Sequence, residues 1–160
     1  MNHYRTGWIS DVHLGTKGSN AGALINFLRD TEFETLYLVG DLIDIWALRR
    51  GIYWPQDHND VIQKLLRKGR KGTEIIYIPG NHDEFLSAFH GHYASVELRK
   101  NAIHTTADGR KILVIHGHEL EALMTTYADR SEATEFVLSH TPVDSLVEES
   151  PKTPSEHAGY

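Results

Sequence analysis

A chain of 160 residues is long enough for one domain with one buried core. Its 40% hydrophobic and 24% charged content is ordinary for a soluble globular protein, and no apolar run reaches the length of a membrane span. The formal net charge of −6 argues against a protein that coats nucleic acid, and the lack of cysteine excludes a disulfide framework and any thiolate metal site. Met1 to Arg5 lack the apolar stretch of a secretory signal, so a cytoplasmic location is the expectation. Any metal must be held by His, Asp, Glu or Asn. The 11 histidines, none in a run, make their placement relative to strands the informative question.

In chain order, Arg5 to Ser10 reads as a short strand, because Trp8 and Ile9 are apolar and β-prone. Asn20 to Arg29 reads as a helix with Ala23, Leu24, Phe27 and Leu28 on one face. Thr35 to Val39 is a second strand, ended by Gly40 and Asp41. His58 to Lys68 is a second helix, with Val61, Ile62, Leu65 and Leu66 inward and Lys64, Arg67 and Lys68 outward. Glu74 to Ile78 is a third strand, ended by Pro79, Gly80 and Asn81. Ala102 to Thr106 and Lys111 to Ile115 form a hairpin around Asp108 and Gly109. Beyond Leu120 the pattern weakens: a helix over Glu121 to Arg130, a short strand over Glu135 to Ser139, and a disordered tail over residues 150–160 after a single domain over residues 1–149.

Alternating strands and helices imply βαβ units and a parallel sheet, an α/β fold. Each strand ends in a polar cluster, and in open α/β sheets ligands gather at the carboxyl ends of the strands. The clusters are Asp11-Val12-His13, Gly40-Asp41-Leu42-Ile43-Asp44, Gly80-Asn81-His82-Asp83, His116-Gly117-His118 and Ser139-His140. These oxygen and imidazole donors suit divalent ions such as Mn, Fe or Zn. Taken singly, Asp11, Asp41 and Asn81 are ordinary helix caps and His116 an ordinary core histidine. Their repetition at successive strand ends favours a metal centre.

The order Asp-x-His, Gly-Asp-x-x-Asp, Gly-Asn-His-Asp and a later isolated His resembles the calcineurin-like metallophosphoesterase superfamily over Ile9 to Gly117. Ser10-Asp11-Val12-His13-Leu14-Gly15, Gly40 to Trp46 and Gly80 to Leu86 are similar to the branch of UDP-diacylglucosamine pyrophosphatases. The resemblance implies an αββα sheet sandwich, in a compact or C-terminally shortened form. It implies a two-metal phosphohydrolase that cleaves a phosphoester or pyrophosphate with a metal-activated hydroxide. Manganese is the first expectation, with Fe, Zn, Ni or Mg as alternatives. Asp11 and His13 would bind one ion, Asp41 would bridge, and Asn81, His116 and His140 would bind the other. His82 would be the general acid, oriented by Asp44. The substrate would be a small phosphorylated molecule.

Two departures mark this chain. His82 stands where the pyrophosphatases usually carry Arg. Ser139-His140-Thr141-Pro142 replaces the closing Gly-His-x-His, so Pro142 removes one ligand and His118 is the nearest spare imidazole. Arg49 and Arg50 are candidates for substrate phosphate, while Trp46, Tyr53 and Trp54 either stack on substrate or pack their loop. A short chain leaves sheet surface to cover, for which a homo-oligomer is one expectation. The reading from a different class is a non-catalytic metal-binding interaction module of the same fold, and a nuclease is third.

Overall fold

The computed structural model describes residues 2–118 and Leu120. The helix expected over Glu121 to Arg130, the strand into His140, Pro142 and the tail from Ser150 lie outside the described residues. Strand β1 (Asn2–Ser10) is followed by helix α1 (Ala21–Asp30) and β2 (Thr31–Val39). Helices α2 (Ile45–Arg50) and α3 (Gln56–Arg70) lead to β3 (Glu74–Ile78). A 3-10 turn over Glu84–Ala88 precedes β4 (Gly91–Tyr93) and β5 (Val96–Leu98), and β6 (Ala102–Thr105) and β7 (Lys111–Val114) complete the order.

The main sheet has the order β1-β2-β3-β5-β4, and β6 and β7 form a separate two-stranded sheet. β1, β2, β3 and β5 pair in parallel, and β4 is antiparallel to β5. Both faces of β2 and β3 are apolar, because each is covered. Leu36, Leu38, Ile75 and Tyr77 join Leu28, Val61 and Leu65 of the helices in one core. Tyr37, Ile76 and Ile78 face the other way and bury against Ala102 and Val114 of the hairpin. Helices, main sheet and hairpin sheet therefore form three successive layers of a mixed α/β fold.

Several boundaries differ from those read in the sequence. β1 and β2 begin earlier, because Asn2, His3 and Tyr4 pair with Thr31, Glu32 and Phe33. Lys68, expected to face outward from α3, is 4% exposed. Its ammonium donates to the Thr31 carbonyl and to Glu32 Oε2 at 2.9 Å, crossing from helix to strand start. Its position at the basic end of α3 also suits the helix dipole. The bond from Lys68 holds the Glu32 carboxyl below the usual range, against the opposing pull of burial.

One side chain ties the strand ends together. Asp83 is fully buried, 0% exposed. Its Oδ1 accepts from the Gly80 N–H at 2.6 Å and the Asp41 N–H at 3.4 Å. Its Oδ2 accepts from the Leu42 N–H at 2.9 Å, the Ile43 N–H at 3.4 Å and the Tyr77 hydroxyl. Burial first, and the Asp83 charge second, push the Tyr77 hydroxyl far above its ordinary range, so it remains a donor.

Two stability predictions follow from these contacts. Asp83→Asn keeps the shape but replaces an acceptor with a donor facing buried N–H groups. Unfolding in urea should show a loss of about 3 kcal/mol or more, and a loss below about 1 kcal/mol would mean that the loops stand without it. Lys68→Met should cost about 1–3 kcal/mol at neutral pH. Glu32 has a depressed pKa in the fold, so its share of stability is complete above the ordinary glutamate pKa and is lost as pH falls through the folded value. The gap between wild type and Lys68→Met should accordingly narrow on acidification through that range. A gap that widens there contradicts the role given to the pair.

Candidate metal centre

The loops after β1, β2 and β3 continue side by side beyond the strands. The Asp11 N–H donates to the Gly40 carbonyl at 3.2 Å, His13 N–H to Asp41 at 2.8 Å and Leu14 N–H to Leu42 at 2.9 Å. The Gly40 N–H reaches the Ile78 carbonyl at 2.7 Å. Within this extension Asp11, His13 and Asp41 hold φ of 54°, 51° and 53°, in the left-handed region. Ala94 is the other non-glycine residue with positive φ among those described. Asp and His tolerate this region better than most residues, yet each instance still costs about 1–3 kcal/mol at its most strained. Three such residues in one loop cluster mark it as a place where geometry outranks local preference.

Asp41 lies at the centre and is 3% exposed. Its Oδ1 accepts the His82 main-chain N–H at 2.9 Å. Its Oδ2 lies 3.7 Å from both His13 Nε2 and His116 Nε2. Asp11 Oδ1 also lies 3.7 Å from His116 Nε2. Asp11, Asp41 and His116 offer ligand atoms that all fall within 4.8 Å of one another, as do His13, Asp44 and His82. A spacing of 3.7 Å is too long for a hydrogen bond. It suits donors that each sit about 2.0–2.2 Å from a cation between them. Carboxylate and imidazole are also the donor types for Mn, Fe or Zn.

Two glycines are required by this approach. A Cβ on Gly80 would sit 2.3 Å from Asp41 Oδ1 and 2.9 Å from His116 Cε1. Gly40, at φ +71°, would place a Cβ 2.0 Å from His116 Cδ2. Asn81 is half-buried between Gly80 and His82, two residues that both touch Asp41.

Asp44 organises the second half of the cluster. Its Oδ2 lies 3.2 Å from His13 Nδ1 and 3.0 Å from His82 Nδ1. The His82 contact is short but bent, falling outside hydrogen-bond geometry. Asp44 Oδ1 accepts the Ala47 N–H at 2.7 Å, capping α2. Burial pulls the Asp44 carboxyl up, but His82, the Ala47 N–H and His13 together hold it below the usual range. The His13 contact was not read from the sequence, and neither was α2, whose six residues are too few for a periodicity signal. A carboxylate behind an imidazole whose other nitrogen faces a metal position is a recurrent way of fixing the ring.

The remaining candidates are placed as follows. His118 Nδ1 lies 3.1 Å from His116 Nδ1, on the side of that ring away from Asp11 and Asp41. His140 lies outside the described residues. Arg49 and Arg50 are exposed in the last turn of α2. Trp46 is 45% exposed and its ring centroid stands 4.2 Å from that of His82, at an interplanar angle of 32°. Tyr53 and Trp54 meet His58 edge-on at 5.8 Å and 5.5 Å. His58, buried in α3, accepts the Gly15 N–H at 3.0 Å and so anchors the loop that follows His13. That role, like the Asp83 clamp, carries no sequence signal of its own, because both residues stand in polar runs.

No helix among the described residues is long and apolar enough to cross a membrane. The chain is 30% identical over 149 residues to the UDP-2,3-diacylglucosamine hydrolase of Psychromonas ingrahamii, covering 89% of this chain and 57% of that protein. It is 29% identical over 128 residues to the UDP-2,3-diacylglucosamine hydrolase of Blochmanniella pennsylvanica, covering 75% and 49%. It thus spans about half the length of these relatives. A solved structure, Pseudomonas putida nuclease MPE, is similar with a TM-score of 0.37 at 21% identity, over 59% of this chain and 47% of that one. The family model for calcineurin-like phosphoesterases matches residues 4–158, and by that match, which takes in every strand end of the metal centre, the chain belongs to the calcineurin-like phosphoesterase family.

Proposed function

We propose that the protein hydrolyses a phosphoester or pyrophosphate bond with two divalent cations, manganese first and Fe, Zn, Ni or Mg as alternatives. The observation that supports this best is Asp41 Oδ2, equidistant at 3.7 Å from His13 Nε2 and His116 Nε2. Asp41 is the bridging carboxylate in this reading. Asp11 and His13 would hold one ion and Asn81 and His116 the other, with His140 as a further ligand. When bound, the cations supply Lewis acidity to the phosphoryl oxygens and lower the pKa of the attacking water.

The side chains divide the remaining work. Asp44 sits at His82 Nδ1 and leaves Nε2 as the ring nitrogen able to give a proton to the departing oxygen. Water oxygen bonds to phosphorus and sheds a proton to solvent, the bond from phosphorus to the leaving oxygen breaks, the proton from His82 ends on that oxygen, and His82 is reprotonated from solvent. Such a general acid contributes about 10²–10⁴-fold in rate. Trp46 covers the His82 ring on one face. Arg49 and Arg50, exposed in the last turn of the helix that Asp44 caps, are the candidate contacts for further anionic groups of the substrate. The similarity to UDP-2,3-diacylglucosamine hydrolases favours a small phosphorylated substrate of that kind. The imidazole poised between Asp44 and Trp46 has no use in a purely structural module, which favours catalysis over the interaction-module reading.

Three variants test the assignment. Asp41→Asn should empty both metal positions on mass analysis, and two ions retained would remove its bridging role. Gly80→Ala, which intrudes on Asp41, should lower metal content while leaving the far-ultraviolet circular dichroism spectrum intact. His82→Ala should leave metal content unchanged and slow hydrolysis more as the pKa of the leaving group rises. Rates plotted against leaving-group pKa should therefore diverge between wild type and variant. Parallel lines would sink the general-acid role, and full metal loading without turnover on any ester would favour the interaction module.

A further inference from the structure

His58 belongs to neither group of candidate metal donors, yet it grips the loop that carries two of them. It is the third residue of α3 and is 2% exposed. Tyr53 and Trp54 meet its ring edge-on, at 82° and 87°, so packing holds the ring in one orientation. Its Nδ1 accepts the Gly15 N–H at 3.0 Å, which places the proton of the neutral ring on Nε2. Gly15 holds φ +106°, and its N–H leaves the ladder that Asp11, His13 and Leu14 continue to Gly40, Asp41 and Leu42. A buried N–H must find an acceptor, and here the acceptor is a side chain 43 residues away. The same peptide is held at its other end, where the Leu14 carbonyl accepts the Asp44 N–H at 2.8 Å. Leu48 of α2 fills the space that a Gly15 side chain would need. The Leu14–Gly15 peptide is therefore fixed from both α2 and α3. Relaxing the strained φ of 51° at His13 would swing that peptide and break both bonds.

We propose that His58 is a positioning residue of the metal centre. Through the Gly15 N–H it holds the loop after β1 in the shape that turns Asp11 and His13 towards one ion, and so it sets the affinity for that ion and not for the other. The proposal rests on the two-metal reading and adds to it a residue that touches neither cation nor substrate. Asn81 and His116, which would hold the other ion, follow β3 and β7, and the Gly15 bond is no part of those loops. Asp41, which would serve both ions, has its main-chain N–H held by Asp83.

Two substitutions separate the acceptor from the ring. His58→Phe keeps the ring packing and removes the acceptor. His58→Asn places an amide oxygen where Nδ1 stood and gives up the outer part of the ring. Zn²⁺ is titrated into the full chain while the ring signals of His13 and His116 are followed by NMR, with thermal melting measured alongside. Loss of a partner behind a metal ligand typically weakens metal binding about 10–100-fold, and His58 acts one step further back. His58→Phe should therefore weaken Zn²⁺ binding at His13 about tenfold and leave binding at His116 within about twofold. His58→Asn should melt lower than wild type and still bind Zn²⁺ at His13 within about threefold of it. His58→Leu gives the readout of the Phe variant if that variant does not fold. A residue that only packs would give the reverse order, with His58→Asn the weaker binder at His13. That order, or equal weakening at His13 and His116 in His58→Phe, would overturn the proposal. A wild type that takes up only one Zn²⁺ would remove the two-metal reading and this proposal with it. A wild type with two ions and an unaffected His58→Phe would remove the positioning role alone.

Discussion

The position of Asp41 depends on a carboxylate that never faces the site. Where the parallel ladder of β2 and β3 ends, the main-chain N–H groups of Asp41, Leu42, Ile43 and Gly80 lose their strand partners. Buried N–H groups must be satisfied, and Asp83 accepts from all four and from the Tyr77 hydroxyl. With the backbone of Asp41 held in this way, its Oδ1 is taken by the His82 N–H. Only Oδ2 is left, and it points between His13 and His116. The aim of the central carboxylate is thus the end of a chain of main-chain constraints and not a rotamer choice made in the open.

The same loops carry strain, and what offsets it is visible. Asp11, His13 and Asp41 all hold left-handed backbone in these loops. Parallel hydrogen bonds continue through the turn, from Asp11 to Gly40, His13 to Asp41 and Leu14 to Leu42. Each bond contributes about 0.5–1.5 kcal/mol net, comparable to the strain it accompanies. Gly40 and Gly80 let the facing loops approach to a distance that any Cβ would prevent. Asp and His at the strained positions are also among the residues that bear positive φ most readily, so chemistry and conformation ask for the same residue types.

Much of this was legible because the informative residues recur at one structural position. Strand ends are easy to find when β-branched runs stop at Gly or Asp, and those stops are where Asp11, Asp41, Asn81 and His116 sit. The long helix α3 showed its apolar stripe, although Lys68 was misread as solvated because a lysine at the end of a helix normally is. In α1 the buried stripe is Ala21, Leu24, Ile25 and Leu28, with Ala23 and Phe27 exposed. What stayed hidden was tertiary. β4 and β5, of three residues each, are too short for alternation to register. Asp83 reads as one more polar residue of the Gly-Asn-His-Asp run, and beside Gly80 of that run and Tyr77 of β3 its donors are the Asp41, Leu42 and Ile43 N–H groups of a loop distant in sequence. His58 reads as the polar start of a helix, while its partner Gly15 lies 43 residues away.

Helix α2 shows how much such a short element can set. Asp44 caps it through the Ala47 N–H, so the direction of Asp44 Oδ2 follows from the helix start. That oxygen meets His13 Nδ1 and His82 Nδ1 together. Two positions on, Trp46 lies over the face of the His82 ring. His82 is therefore held at one edge and one face by the same turn of helix. Leu48, from the next turn, lies against Gly15, where a Cβ would come within 2.9 Å of its Cγ. The helix is thereby docked on the very loop that carries His13. An imidazole expected to face a metal and an imidazole expected to move a proton are aligned by one rigid piece, so displacing α2 would disturb both together. This gives a physical reason for Asp44 to be an aspartate: only a short carboxylate can cap the helix with one oxygen and serve two rings with the other.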